Sequence, residues 1–367
     1  MITFRGDLAP ERLVGLRSLV GPPVSPAPRD VWDALLREDP YALETQSPAW
    51  ADAACASGRY EDASRLYETL SGRLLVLPML RKRGSRGPLA IEAANPLGWG
   101  VGGLVAAGGA SPAEIAAVFG DLATRRVVSQ RLLPNPLFAA SWSEGAPERS
   151  RASDRVAHIV DLEGGFEHVW SKVHKSSRQG ANRAERNGVT VECDTGGRLV
   201  AEFAGLLEGA VVRWARLQHE PRWLAQRRHE RKDPREKFSA IAAALGERCQ
   251  VWMARLDGRP VASMMVLRGN NAYDFRAAMD EDAASCRAND LLLRCAIEDA
   301  CRSGCRSYYM GDSGRSQNLA QFKERFGATP HAYAEYCLER LPISAAERGI
   351  KRAVKGAIGF RDAVRVA

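Results

Sequence analysis

Between His174 and Val189 the chain reads HKSSRQGANRAERNGV. Lys175, Arg178, Asn182 and Arg186 stand three or four residues apart, so a helix here lines them along one face, and a row of cations is chemistry for anions. A solvated basic surface has the same pattern. Farther on, Asp274 sits in the alternating run NAYDFRAAM, Asp312 in the glycine-flanked turn GDSG and Lys323 in QFKERFG. A carboxylate on a turn after a strand can project into a cleft and take a proton, or simply bond its own backbone. Asp274 alternates with Tyr273 and is the second candidate, with Arg276 as its neighbour on the same face; Lys323 lies on an amphipathic helix beside Glu324 and Arg325.

The elements that position these residues follow from pattern. RLYETLSGRLLVLPMLRKRG (Arg65 to Gly84) and QVWMARLDGRPVASMMVLRG (Gln250 to Gly269) each read as strand, two-residue turn and strand, which suggests two like-folded halves. SWSEGAPERSRASDR, Ser141 to Arg155, is the expected seam between them. In the first half Ser111, Pro112 and Glu114 form a capping box opening a helix. In the second, the order is hairpin, strand, helix from Asn289 to Ser303, strand SYYM, turn, helix NLAQFKERFG with Asn318 and Gln321 as a capping box, and strand AYAEYCL.

At 367 residues, with 45% hydrophobic residues, the chain can fill two cores. Its net charge of +8 favours anionic partners without choosing among them. The start, MITFRGDLAPERLVGL, has no signal-peptide pattern and no stretch is apolar enough to cross a bilayer, so the expected location is cytoplasmic. Eight cysteines without a CxxC pair or histidines at ligand spacing predict reduced thiols and no metal site. Walker, HExxH, GxSxG and GxGxxG motifs are absent, which excludes the readily recognised hydrolases and dinucleotide oxidoreductases.

The basic helix with Asn182 and Arg183 before NGV, the LDGRPVA hairpin, the Tyr273 strand, the helix ending in RSG, MGDSG and QFKERFG, in that order, resemble the GNAT acyltransferase fold. The resemblance is to its Fem-like (FemABX peptidyltransferase) and BioF2-like branch. It implies an α/β (α+β) protein of two GNAT-like halves, each a mixed, mostly antiparallel sheet flanked by helices. The boundaries are 1–150 for a degenerate first half, 151–340 for the acyltransferase half and 341–367 for a basic amphipathic tail. Acetyl-CoA-binding relatives hold pyrophosphate on a glycine-rich loop opening the central helix. Here that stretch is SCRANDLLL, which keeps Arg287 but has no glycine and adds Asp290.

Fem-like members take their acyl group from aminoacyl-tRNA, so the resemblance implies transfer of an aminoacyl group from tRNA to an amine of a phosphorylated or peptide-like acceptor, with no tightly bound cofactor. It assigns Lys323 to the developing oxyanion with Phe322 beside the reacting carbonyl, and Arg178, with Ser177 and Lys175, to phosphate. Asn182, Tyr273 and Arg276 join them as substrate-binding residues, and Asp312 is the candidate for proton removal. An acyl-CoA-dependent N-acyltransferase and a non-catalytic module binding nucleic acid or other anions are the alternatives; DNA is not an expected partner.

From Arg213 to Lys237 nine cations face four anions, with Trp214 and Trp223 among them. That suits either a tRNA grip or, preferably, an exposed helix whose tryptophans face the core. The tail ERGIKRAVKGAIGFRDAVRVA puts Ile350, Val354 and Ile358 on one face and Lys351, Arg352 and Lys355 on another. It suits peripheral membrane contact or, preferably, docking on its own domain.

Overall fold

The computed structural model describes residues 19–314 and 316–361; the opening segment MITFRGDLAPERLVGL and the end of the tail lie outside them. Helices α1 (Arg29–Glu38) and α2 (Pro48–Ala56) lead into β1 (Tyr60–Asp62), β2 (Arg65–Glu68), β3 (Leu74–Leu77), β4 (Leu80–Lys82) and β5 (Ile91–Ala93). Helix α3 (Pro112–Thr124), β6 (Ser129–Leu132) and α4 (Ala139–Gly145) complete the first half. The second opens with β7 (Arg151–Asp161), α5 (Gly165–Lys172), α6 (Lys175–Arg186) and β8 (Thr190–Asp194), then three helices, α7 (Val200–Leu217), α8 (Arg222–Lys232) and α9 (Arg235–Leu245). It continues through β9 (Cys249–Leu256), β10 (Arg259–Arg268), β11 (Ala272–Met279), α10 (Ala288–Arg302), β12 (Ser307–Asp312), α11 (Gln317–Arg325), β13 (Thr329–Glu339) and α12 (Ile343–Ala357).

Eleven strands form one sheet in the order β1-β4-β5-β6-β13-β7-β12-β11-β10-β9-β8, antiparallel except where β5 meets β6 and β11 meets β12. The fold is thus mixed α/β with a mostly antiparallel sheet flanked by helices. Strand β13 lies between β6 of the first half and β7 of the second, so the sheet is continuous across both. The stretch read as a seam is largely ordered: α4 runs to Gly145 and β7 starts at Arg151, leaving 146–150 as the connection.

The two hairpins differ in a way their sequences explain. In the second, Leu256 pairs with Arg259 across Asp257 and Gly258, both at positive φ (51° and 76°), which is the tight turn that Asp-Gly favours. In the first, Glu68 pairs with Leu74, so the loop spans Thr69–Arg73 rather than two residues, and β2 and β3 form a separate two-stranded sheet. Pro78, which has no N–H to give a ladder, separates β3 from β4, and only β4 joins the large sheet. The capping box at α3 is realised: Ser111 Oγ accepts from Glu114 N, and Glu114 Oε2 accepts from Ser111 N at 2.8 Å. At α11 the cap is Ser316, whose hydroxyl accepts from Leu319 N, rather than Asn318.

The largest core cluster joins the halves. Trp32, Trp50 and Trp99 of the first pack with Phe203, Phe238, Tyr273 and Phe275 of the second. Trp50 meets Trp99 and Phe275 edge to face at 5.5 and 5.1 Å, arrangements contributing about 0.5–1.5 kcal/mol each beyond burial. A second cluster lies under α5, α6 and α10, around Val169, Ala184, Leu292 and Phe326. All eight cysteines are free thiols.

Candidate active site

Strands β11 and β12 pair only at Ala272 with Tyr308 and Tyr273 with Tyr309. Irregularities on both strands accompany the short pairing. Against β10, Met265 pairs with Arg276 and Val266 with Asp274, which leaves Phe275 as an extra residue; against β7, the register of β12 slips between Tyr309 and Asp312, where Gly311 has φ +68°. Bulges bend strands and re-aim side chains. The first bulge gives Asp274 and Arg276 different surroundings, although simple alternation would place them together.

Lys323 of α11 reaches the end of β12. It is 5% exposed, and its Nζ donates to the carbonyl oxygens of Gly311 at 2.8 Å and Asp312 at 2.9 Å. Two of the three ammonium protons are thereby used. Burial pushes its pKa down to about 8, while the carboxylates of Asp274 and Asp312 act in the opposite direction. Asp274, in turn, is pushed up to about 6 by burial against the pull of Lys323 and Arg276, and its Oδ1 is buried without a hydrogen-bond partner. A carboxylate and an ammonium that both titrate within about two units of neutrality suit proton transfer and oxyanion stabilisation.

Asp312, the sequence's candidate for proton removal, is occupied. Its Oδ1 accepts from Tyr333 OH at 2.7 Å and its Oδ2 from Arg155 Nη1 at 3.2 Å. Arg155 also pairs with Glu335, which Arg131 holds from the first half at 2.6 Å. A carboxylate so engaged anchors the end of β12, and Asp274 has the freer oxygen. Neither Arg155 nor Tyr333 stands out in the sequence beyond ordinary strand alternation. Nor does His158 of β7, which is buried with Nδ1 3.0 Å from Ser313 Oγ and Nε2 3.6 Å from Glu324 Oε1. Burial and then the Lys323 charge lower its pKa.

At the start of α10, Arg287 takes a left-handed conformation (φ 62°), and its Nε lies 2.5 Å from Asp290 Oδ2. The Asp290 side chain is 3% exposed, and burial raises its pKa to about 6 against the pull of Arg287. Helix α6 presses Gly180 onto this pair so closely that a Cβ there would collide with both side chains. Beside it a cavity of about 250 Å³ is lined by Val261, Met279, Arg287, Asn289, Asp290 and Phe322.

The basic helix α6 is capped by His174, whose ring Nδ1 accepts from Ser176 N, and His174 N donates to Arg325 O at the end of α11. Its buried stripe is Ser177, Gly180, Ala181 and Ala184, packed toward α10, while Lys175 and Asn182 are exposed. Arg178 is half-buried, and its Nε is buried with no partner. Phe322 borders the cavity and packs on Phe326 at 5.3 Å.

Two substrate-binding expectations meet other duties. Tyr273 is a core ring between Tyr309 and Phe275. Arg276 bonds Asp233 at 3.0 Å and the Gly98 carbonyl at 2.6 Å, so it is neither a partner of Asp274 nor a free cation.

The basic segment from Arg213 to Lys237 departs from its preferred reading. Trp214 and Trp223 are 41% and 64% exposed, and the α7–α8 corner packs instead through the small residues Val211, Ala215 and Ala225. Its last cation is interior: Lys237, 1% exposed, bonds Asp233 at 2.7 Å and Gly98 O at 2.6 Å, with its Nζ 4.6 Å from the Trp99 ring centroid. Helix α12, expected to dock on its own domain, has no buried residue. Among the described residues no group of His, Cys, Asp or Glu could hold a metal ion, and no helix is long and apolar enough to cross a membrane.

Residues 171–324, which contain α6, the β9–β12 ladder and Lys323, match the family described as acetyltransferase (GNAT) domain. Over that span the chain is similar to the GNAT acetyltransferases. Its fold as a whole is similar to that of FemX, whose crystal structure superposes with a TM-score of 0.61 at 13% identity, over 85% of this chain and 96% of that one. A conserved protein of unknown function from Bacteroides thetaiotaomicron gives 0.53 at 10% identity, over 86% and 99%. No curated protein matches the sequence significantly.

Proposed function

We propose that the protein transfers an aminoacyl group from tRNA to an amine of a phosphorylated or peptide-like acceptor. The observation that carries the donor assignment is the crowded N-terminus of α10: Asp290 and Arg287 form an ion pair there, and Gly180 of α6 packs onto them. A helix N-terminus holds pyrophosphate through free N–H groups and a positive end, and a buried carboxylate at that place opposes it. In the reaction the amine attacks the ester carbonyl, a C–N bond forms, the ester C–O bond breaks, and the ribose oxygen leaves as a hydroxyl by taking up the proton that the amine gave to Asp274. The third Lys323 proton stabilises the oxyanion, Asp274 takes the proton the amine loses, and Arg178, with its unpartnered Nε, meets phosphate. Asp312 positions rather than reacts, holding the strand end whose carbonyls fix Lys323.

A second reading, an acyl-CoA-dependent N-acyltransferase, is favoured by the cavity of about 250 Å³ beside Arg287, which could admit a pantetheine arm. The deciding experiment offers pooled aminoacyl-tRNA and, separately, acetyl-CoA to the protein with a panel of amines. The aminoacyl reading expects amide formation from tRNA, slowed about a hundredfold to a thousandfold by Lys323→Ala with donor binding retained. Transfer from acetyl-CoA alone overturns it. Failure with both donors, while Arg178→Ala abolishes binding of anionic ligands, leaves a non-catalytic module.

A further inference from the structure

We propose that α12, together with the corner where α7 meets α8, forms a face that lies on an anionic lipid bilayer. Helix α12 buries none of its residues. Ile343, Ala346, Ile350, Val354 and Ala357 recur every three or four positions and make one apolar stripe, with Ile350 65% and Val354 41% exposed. Arg348, Lys351, Arg352 and Lys355 gather on another side, against the single anion Glu347. With 15 residues the helix is too short to span a bilayer, and an apolar stripe beside a cationic one suits a helix lying in the interface plane.

An independent observation extends the face. Arg361 N donates to Gln218 O at 2.8 Å, tying the chain just after α12 to the end of α7. There Trp214, Leu217 and Trp223 are 41%, 58% and 64% exposed, and the exposed Arg216 and Arg222 stand among them in sequence. Tryptophan favours the boundary between headgroups and acyl chains, where one edge is wet and the other is not. RNA would answer the cations and could stack on an indole, but it would leave Ile350, Val354 and Leu217 in water. An anionic bilayer satisfies both features. This placement goes beyond the transfer reaction and requires no particular donor or acceptor.

The test uses the full chain with vesicles of phosphatidylcholine alone and vesicles containing about one quarter phosphatidylglycerol, read by co-sedimentation and tryptophan emission. The expected result is binding to the anionic vesicles, weakened at about 0.5 M salt, with a blue shift that Trp223→Ala reduces. Ile350→Glu with Val354→Glu should weaken binding about tenfold or more, as should Lys351→Glu with Arg352→Glu. All these side chains are exposed, so an unchanged melting temperature shows that the variants are folded. No binding to either vesicle, or binding indifferent to Ile350→Glu with Val354→Glu, overturns the proposal. So does binding of total tRNA, without vesicle binding, that the lysine and arginine changes abolish and the aliphatic changes spare.

Discussion

Asp274 and Lys323 shift toward each other from opposite ends of the pH scale, to about 6 and about 8, and burial is the leading cause for both. If one takes a proton and the other holds charge, kcat/KM should rise as pH passes about 6 and fall as it passes about 8. Asp274→Asn should remove the acidic limb and lower the plateau about a hundredfold or more, and Lys323→Met the alkaline limb; a profile unchanged in shape by both would reject the pair. Stability carries the opposite sign on the acid side. The folded Asp274 keeps its proton above the ordinary aspartate range, so raising pH from about 4 to 6 subtracts stability through this group, and Asp274→Asn should flatten that decline. Lys323 was legible as a candidate only through resemblance, because its charged neighbours make it look like surface. The preference for Asp312 over Asp274 rested on the turn GDSG, and nothing local in the sequence reveals that Arg155 and Tyr333, from two other strands, occupy that carboxylate.

Charge periodicity on helices misled most where a helix end turns inward. Lys237 closes a run that reads as solvated, yet Asp233 holds both it and Arg276 at the junction with the first half, and Lys237 is pushed down to about 7, chiefly by burial. Asp233→Ala would leave two cations in the interior without their counter-ion and should cost about 3–5 kcal/mol in urea unfolding. Lys237→Met keeps the volume and should cost less, since it removes the buried ammonium itself; equal costs would refute the clamp. The partner that makes this cluster intelligible, the Gly98 carbonyl, lies far back in the chain, beyond any local pattern. Elements whose chemistry is local were legible: the Asp-Gly hairpin, the Ser111 cap and the central helix all occur within a residue or two of expectation.

The two halves share both a sheet and a core, so they should not melt separately. Calorimetry of the whole chain is expected to show one transition, and a chain beginning at residue 151 should be insoluble, having lost Trp32, Trp50 and Trp99 from its principal core and β6 from the flank of β13. Two resolved transitions, or a soluble folded fragment, would contradict this. The two hairpins suggested two like halves, but the continuous sheet was not readable from sequence, because strand order depends on pairings between distant segments. That pairing also has a consequence during translation. Strands β6 and β7 are near neighbours in the chain, yet the strand that fits between them, β13, is added on the order of ten to forty seconds later at the usual rate of synthesis. Until then β7 lacks both of its sheet neighbours, β12 and β13, so the centre of the sheet can close only when synthesis is nearly complete.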